Sequence, residues 1–191
     1  MDVELVEDAV EVAGLRLELL RPPDAEALID EDAFAANEFL PYWAELWPAG
    51  RALADALPEL RGRRVVELGC GLALPSLVAA AGGAEVYATD WSADAVELVR
   101  LNAERNGIRL AAAVADWADW RLGGSFELAL AADVLYERRN VPQLLELLPR
   151  LAPEALVAEP GRPAAQAFFR EARQRWDVEE LGDRVYRLSS R

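Results

Sequence analysis

The first part of the chain alternates apolar and polar positions, and longer apolar runs replace this pattern from Arg64 onward. The stretch VELVEDAVEVAGLRLELLRPP predicts two short strands that turn at Ala13 and Gly14 and end at a pair of prolines. The acidic stretch DAEALIDEDAFAANEFLPYWAELWPAG follows, with helical spacing and aromatic residues near its end. The segment RALADALPEL then predicts a short helix.

Strand and helix patterns alternate along the rest of the chain. The apolar runs RVVELG, AEVYATD, IRLAAAVADW, FELALAADVLY and EALVAEP predict strands. The predicted helices are LPSLVAAA, SADAVELVRLNAERNG, NVPQLLELLPRL and PAAQAFFREARQRW, and the second of them ends at a glycine. The final segment, DVEELGDRVYRLSS, predicts a hairpin that turns at Gly182 and Asp183.

Apolar strands that alternate with helices are typical of a doubly wound α/β fold, in which helices cover both faces of a parallel sheet. We therefore predict a Rossmann-like, seven-stranded, mostly parallel sheet with an antiparallel C-terminal strand. Residues 1–47 are interpreted as an N-terminal cap, and residues 48–191 as the core of the same single domain.

Composition narrows the functional classes. Twenty basic and 34 acidic residues give a net charge of −14, which disfavours nucleic-acid partners and is compatible with lysine-bearing proteins. The chain has no histidine, the commonest metal ligand, and we expect no metal cofactor. One cysteine, an acidic N-terminus unlike a signal peptide and no membrane-length apolar run favour a cytoplasmic protein without a membrane partner.

The segment VVELGCGLALPSLVAA places two glycines directly after the first core strand, where ligands bind in such sheets. Glycine lets the backbone turn sharply and approach a ligand closely. A dinucleotide site requires a third glycine where this chain has Leu74, and Glu67 would repel a pyrophosphate. No Gly-Lys-Ser/Thr follows, which excludes a P-loop. A carboxylate before the glycines instead suits a ligand with a positive amino group.

Two further predicted strands end in side chains suited to adenosine. Asp90, about 20 residues after the glycines, is placed to accept hydrogen bonds from both ribose hydroxyls. The next strand is predicted to end at Asp116 and Trp117, which offer an acceptor for an exocyclic amine and a face for stacking a purine. Together these positions predict an adenosine site with an amino-acid end and no phosphate.

These motifs resemble those of the class I, seven-β-strand S-adenosylmethionine-dependent methyltransferases. VVELGCGLALPSL is similar to motif I with Ala73 in place of a third glycine, YATDW to motif II, and ADW to the adenine-flanking motif. The resemblance implies S-adenosyl-L-methionine as cofactor and S-adenosyl-L-homocysteine as product. It assigns the cofactor contacts to Trp47, Glu67, Gly69, Cys70, Gly71, Asp90, Trp91, Asp116, Trp117 and Ala132.

A narrower resemblance concerns the substrate. Asp133 to Tyr136 resembles the D-x-x-Y motif of protein lysine methyltransferases, and PYWAELWPAG and AEPGRPAAQAFF resemble the electron-transfer-flavoprotein β-subunit branch with its bacterial relatives. The resemblance implies that Asp133 orients the amine and that Tyr136 lines its channel. Glu159 is a further candidate at the same rim, whereas Arg162 is interpreted as structural.

Other functions fit parts of the same pattern. A small-molecule amine N-methyltransferase shares the core, and a non-catalytic S-adenosylmethionine-binding module shares the fold. A nicotinamide dehydrogenase is disfavoured by Leu74 and Glu67. For a lysine substrate one difficulty stands out: its pKa is about 10.4, and nearby carboxylates favour the charged form that cannot accept a methyl group.

Overall fold

The structure is a computed structural model that describes residues 4–25, 28 and 41–191. The helical spacing predicted between Asp24 and Leu40 lies largely outside these residues. Within the described ranges, no helix combines the length and apolar character needed to cross a membrane.

The N-terminal strands form a separate antiparallel hairpin, as predicted. Strand β1 (Val6–Val12) pairs with β2 (Leu15–Arg21) along its whole length. Ala13 and Gly14 both have positive φ, +49° and +74°, which suits a two-residue hairpin turn.

A seven-stranded sheet forms the centre of the molecule and confirms the predicted fold class. Its strand order is β5-β4-β3-β6-β7-β9-β8, in which β9 runs antiparallel to its neighbours β7 and β8 while the other pairs are parallel. The strands are β3 (Arg64–Leu68), β4 (Glu85–Asp90), β5 (Ala111–Val114), β6 (Leu128–Ala132), β7 (Glu154–Ala158), β8 (Trp176–Gly182) and β9 (Val185–Ser190).

Five α-helices lie against the two faces of this sheet within the described residues, and a short 3-10 helix (Tyr42–Ala44) precedes the first of them. The α-helices are α1 (Pro48–Asp55), α2 (Leu74–Ala81), α3 (Ala93–Arg105), α4 (Asn140–Leu151) and α5 (Pro163–Ala172). Successive residues of the central strands face opposite layers: Val65 packs with α1 and α2, and Val66 packs with α4 and α5. This explains why the strands are apolar without alternation.

Local signals set both ends of α3. The Ser92 hydroxyl accepts a hydrogen bond from the backbone N–H of Ala95 and caps α3. Gly107, with φ of +65°, follows the C-terminus of α3, and the N–H of Ile108 donates to the carbonyl of Ala103.

The hairpin packs against α3 through two asparagine side chains. The Oδ1 atom of Asn102 accepts from the N–H of Leu20 at 2.6 Å, and its Nδ2 donates to the Leu20 carbonyl at 3.0 Å. Asn106 makes the same pair of bonds to the backbone of Glu18, at 2.9 and 2.8 Å. These amides satisfy backbone groups that the edge of β2 would otherwise leave unpaired.

Several predicted boundaries were wrong. The helix predicted over residues 51–60 is α1, which begins at Pro48 and ends at Asp55. Strand β5 ends at Val114 rather than at Trp117, and β6 ends at Ala132 because Asp133 turns the chain into a left-handed conformation, φ +52°. Trp176 begins β8 instead of ending α5. The final turn lies at Asp183 and Arg184, whose φ values of +48° and +59° suit the twist of a tight hairpin.

Candidate active site

A cavity of about 330 Å³ opens at the carboxyl ends of β3, β4 and β6. The chain runs from β3 outward to β5 and then returns to place β6 on the other side of β3, so the cavity lies where the strand order reverses. The predicted site residues that line it are Trp47, Glu67, Gly69, Cys70, Gly71, Asp90, Trp91, Trp117, Ala132, Asp133 and Tyr136.

Asp116 and the further candidate Glu159 do not line this cavity. Because β5 ends two residues earlier, the Asp116 side chain is exposed, and its Oδ1 accepts a hydrogen bond from the backbone N–H of Ala118 at 2.8 Å. The neighbouring Trp117 is half-buried and does reach the cavity wall.

The glycine loop after β3 requires glycine for space as well as for conformation. Gly69 and Gly71 have φ of +63° and +50°. A β-carbon on Gly69 would lie 3.0 Å from Cγ1 of Val134, and one on Gly71 would lie 3.1 Å from the carbonyl oxygen of Trp43. Ala73, in place of a third glycine, also has positive φ, +56°. The loop therefore lies in close contact with the segments on both sides of the cavity.

Glu67 is buried beneath this loop. Its Oε2 accepts hydrogen bonds from the backbone N–H of Ser76, at 2.9 Å, and from the Ser76 hydroxyl. Burial nevertheless raises the pKa of Glu67 to about 8. The side chain is therefore mostly protonated at neutral pH, unless a cation enters the cavity beside it.

Asp90 ties the second strand to the glycine loop. Its Oδ2 accepts from the N–H of Gly71 at 2.9 Å, and its Oδ1 accepts from the N–H of Ser92 at 3.0 Å. Burial raises its pKa, and these backbone hydrogen bonds oppose the rise. Since each carboxylate oxygen can accept more than one bond, Asp90 retains acceptor capacity toward the cavity that it lines.

Asp133 is paired with Arg162, which was predicted to be structural. Its Oδ1 and Oδ2 accept hydrogen bonds from Nε and Nη2 of Arg162, at 2.9 and 2.8 Å. The Asp133 side chain is only 5% exposed, and each of its oxygens accepts one hydrogen bond from Arg162. This two-bonded geometry is the strongest form of an arginine–carboxylate pair.

Three aromatic side chains, Tyr42, Trp47 and Tyr136, form what we call the aromatic rim. The Tyr42 ring meets those of Trp47 and Tyr136 edge to face, with centroids 6.0 and 5.3 Å apart. Nε1 of Trp47 donates to the Tyr42 carbonyl at 2.7 Å. Burial raises the pKa of Tyr136 to about 12, so its hydroxyl keeps its proton and can donate a hydrogen bond.

Arg162 connects this rim to the carboxylate. Its guanidinium carbon lies 5.9 Å from the centre of the Trp47 ring, within the range of a cation–π contact. Oε2 of Glu159 accepts from the N–H of Arg162 at 2.9 Å and from that of Gly161 at 2.7 Å. Glu159 thus holds the loop that carries Arg162. The pairing of Asp133 with Arg162 could have been anticipated from the topology, because β6 and β7 are neighbours in the sheet and the loops that follow them lie side by side.

Comparisons with known proteins identify a family and several relatives. A family model described as lysine methyltransferase matches residues 42–175. The Xenopus laevis electron transfer flavoprotein beta subunit lysine methyltransferase is 35% identical over 131 residues, which cover 64% of this chain and 53% of that protein. The Danio rerio protein N-lysine methyltransferase METTL21A is 33% identical over 154 residues, or 72% of this chain and 70% of that protein.

The fold is also found in solved structures. One of them is the T. thermophilus 16S rRNA N2 G1207 methyltransferase RsmC. It aligns with a TM-score of 0.67 at 18% identity, and the alignment covers 98% of this chain and 51% of that one. Identity this low supports the shared fold and no shared substrate. The chain spans about half the length of the first curated relatives that it matches, 53% and 51%.

Proposed function

Because the chain belongs to the lysine methyltransferase family, we propose that it is an S-adenosylmethionine-dependent protein-lysine N-methyltransferase. One observation carries the proposal beyond family membership. A single cavity unites the glycine loop and Asp90, which suit the cofactor, with Asp133 and Tyr136, which suit an amine.

The residues present fit this cofactor. Gly69 and Gly71 line the cavity without side chains, so a ligand can approach their backbone closely. Asp90 lies at the end of β4 with acceptor capacity for ribose hydroxyls, and the Trp117 indole provides a surface for the purine. Glu67 can regain its charge beside the cofactor's amino group. When bound, the cofactor supplies an electrophilic methyl group on a sulfonium.

The chain's own side chains position the acceptor. Asp133 accepts a hydrogen bond from the lysine amine, and Tyr136 and the other members of the aromatic rim line its approach. The rim is suited to this role because its rings already contact one another. Alignment of the reacting atoms provides most of the acceleration, with roughly 7–11 kcal/mol available in ideal cases.

The proposed partner is a lysine-bearing protein rather than a nucleic acid or a membrane. The net charge of −14 supports a basic protein surface as partner and disfavours phosphate-rich ones. The single, buried thiol of Cys70 supports a cytoplasmic setting, where disulfides are rare.

Cofactor binding is tested by calorimetry with S-adenosylhomocysteine, in buffer with a metal chelator. We expect binding in the micromolar range that is independent of divalent ions. Failure to bind at millimolar ligand, or binding only after metal is added, would contradict the proposal.

Substrate class is tested with cofactor that carries a labelled methyl group. The protein is incubated with a lysate of its own organism, separated beforehand into macromolecular and small-molecule fractions. We expect label in a protein band that yields methyl-lysine on acid hydrolysis, and none with the Asp133→Asn variant. Label confined to the small-molecule fraction would favour the small-molecule amine alternative, and cofactor binding without transfer would favour a binding module.

A further inference from the structure

The charged side chains that line the cavity are acidic with one exception. Among the described residues that line it, Arg162 is the one basic side chain. The carboxyl side chains that line the same space are Glu45, Glu67, Asp90, Asp133 and Glu137. Even with Glu67 protonated, the acidic side chains outnumber the basic one, and among the described lining residues Arg162 alone offsets their charge.

We propose that Arg162 is a positioning residue that cancels the charge of Asp133, so that a lysine amine bound beside that carboxylate can lose its proton. The inference rests on the proposed function and concerns how the same site controls the charge of its substrate.

Methyl transfer to a lysine requires that the charge of Asp133 be balanced. An unpaired carboxylate would stabilise the ammonium form of lysine, whose pKa is about 10.4 in water, and the ammonium has no lone pair. The Arg162–Asp133 pair has no net charge, yet each Asp133 oxygen keeps a second lone pair for an N–H of the amine. The ammonium proton leaves to solvent first. The nitrogen lone pair then forms the new N–C bond as the S–C bond of the donor breaks.

The fold holds the Arg162 charge in place before any substrate arrives. Glu159 accepts from its backbone N–H, Asp133 binds its guanidinium, and the Trp47 ring lies 5.9 Å from the guanidinium carbon. The hydrogen bonds to Asp133 raise the pKa of Arg162 further, against a smaller effect of desolvation. The titratable groups that face it are Asp133 after β6, Tyr42 in the turn before α1 and Glu159 in its own loop.

A ligand pair can measure this charge balance without any turnover. Sinefungin is an analogue that carries a primary amine where S-adenosylmethionine carries its methyl-bearing sulfonium, whereas S-adenosylhomocysteine is uncharged there. We would measure the dissociation constants of both ligands by calorimetry at pH 7.5. The comparison uses the wild type, Arg162→Met, Arg162→Gln and Arg162→Lys.

Arg173→Met is the matched control. Arg173 also lies 5.9 Å from an aromatic ring, that of Phe169, but it is outside the cavity, so its replacement removes the same charge elsewhere. By Coulomb's law, a charge about 6 Å from the ligand's amine changes the affinity of that ligand about 100-fold at an effective dielectric constant of about 20. For Arg162 we expect about tenfold, because its side chain is 37% exposed and solvent screens its charge.

The two neutral variants at Arg162 should therefore prefer sinefungin over S-adenosylhomocysteine by about tenfold more than the wild type does. Arg162→Lys and Arg173→Met should match the wild type within about threefold. An unchanged preference in the neutral variants, or an equal change in Arg162→Lys, would overturn the proposal, because geometry rather than charge would then matter. If the wild type binds neither ligand, the proposed function fails first, and this inference fails with it.

Discussion

Asp133 has a backbone conformation that limits which side chains can replace it. Its φ of +52° lies in the left-handed region, which aspartate and asparagine adopt more readily than alanine does. Replacement by alanine would add backbone strain and leave Arg162 without its partner. Asparagine is therefore the informative substitution, because it removes the charge and keeps the conformation accessible.

We expect Asp133→Asn to lower methyl transfer by about 100-fold or more, while the affinity for S-adenosylhomocysteine stays within a few-fold of wild type. An interaction used mainly with the reacting amine is lost, whereas the glycine loop is untouched. Tyr136→Phe should lower transfer less, since only a hydroxyl is removed. Single-turnover rates and calorimetry give the two quantities.

Asp183→Asn is the control for this prediction. Asp183 also has a left-handed φ, +48°, but it lies in the turn between β8 and β9, away from the cavity. Its replacement should leave both quantities unchanged. If Asp133→Asn loses cofactor affinity and transfer in parallel, Asp133 belongs to the cofactor site.

The sequence predicted the positions of some site residues correctly and those of others wrongly, and the difference has a physical reason. Side chains at strand ends, such as Asp90, could be placed because parallel strands present their carboxyl ends at one edge of the sheet. Asp116 could not, because its position depends on where β5 stops pairing. The pairing of Arg162 with Asp133 depends on distances between two loops that are 29 residues apart in the chain.

At the scale of the elements, two helices were predicted to the residue, whereas α1 ends at Asp55 instead of residue 60 and α5 ends at Ala172 instead of Trp176. The bounds of α2 and α4 match the predicted segments, because Ala73 and Gly82 or the following Ala152-Pro153 interrupt a clear helical pattern. Strand β6 was predicted too long, because Val134 and Leu135 are apolar and buried, 3% and 0% exposed, although they lie in a loop. Apolar residues indicate that a segment is buried, and a buried loop can be as apolar as a buried strand.

The glycine loop is the element on which cofactor binding depends. We expect Gly71→Ala to lower the affinity for S-adenosylhomocysteine by about tenfold or more, equivalent to losing about one hydrogen bond. The new β-carbon would lie 3.1 Å from a backbone oxygen of Trp43, so the loop or the turn at residues 42–44 must move.

Gly107→Ala separates strain from crowding. Gly107 has a comparable φ, +65°, and nothing lies within 4 Å of its would-be β-carbon. It should lower the free energy of unfolding by about 1 kcal/mol and leave ligand affinity unchanged. Equal effects of the two substitutions on affinity would show that close packing at Gly71 is unimportant. Calorimetry and urea unfolding measure both.

The contact between the hairpin and α3 is predicted to contribute to the stability of the fold. Asn102 is fully buried, and Asn102→Ala leaves the N–H and carbonyl of Leu20 without the partners they have in the structure. We expect the free energy of unfolding to fall by about 1–3 kcal/mol in urea titrations. Gln174→Ala, which removes an exposed amide, should change it little. Similar losses in both would indicate that the hairpin adds no stability through this contact.

At the scale of the whole molecule, the acidic character of the chain extends into its interior. The net charge is −14, and Glu67, Cys70 and Asp90 are buried near one another at the carboxyl edge of the sheet. Burial raises the pKa of each of them, that of Cys70 well above its ordinary value. The folded state therefore resists the negative charges that rising pH would create there, and its stability depends on pH.

Glu67→Gln tests this dependence for the whole molecule. The pKa of Glu67 is about 8 in the folded protein and 4.5 in the unfolded reference, so the folded state holds a proton that the unfolded state has released between these values. Its contribution to stability is fully present below pH 4.5 and is lost as pH rises to about 8. Glutamine accepts the same hydrogen bonds from Ser76 without ionising. We expect the variant to be more stable than wild type by a few kcal/mol at pH 8.5, and this advantage to disappear near pH 4.5.

Glu104→Gln, at an exposed position of α3, makes the same charge change and should show no such pH dependence. Urea unfolding at a series of pH values measures the difference, and parallel stability curves for wild type and Glu67→Gln would show that Glu67 is already ionised in the fold.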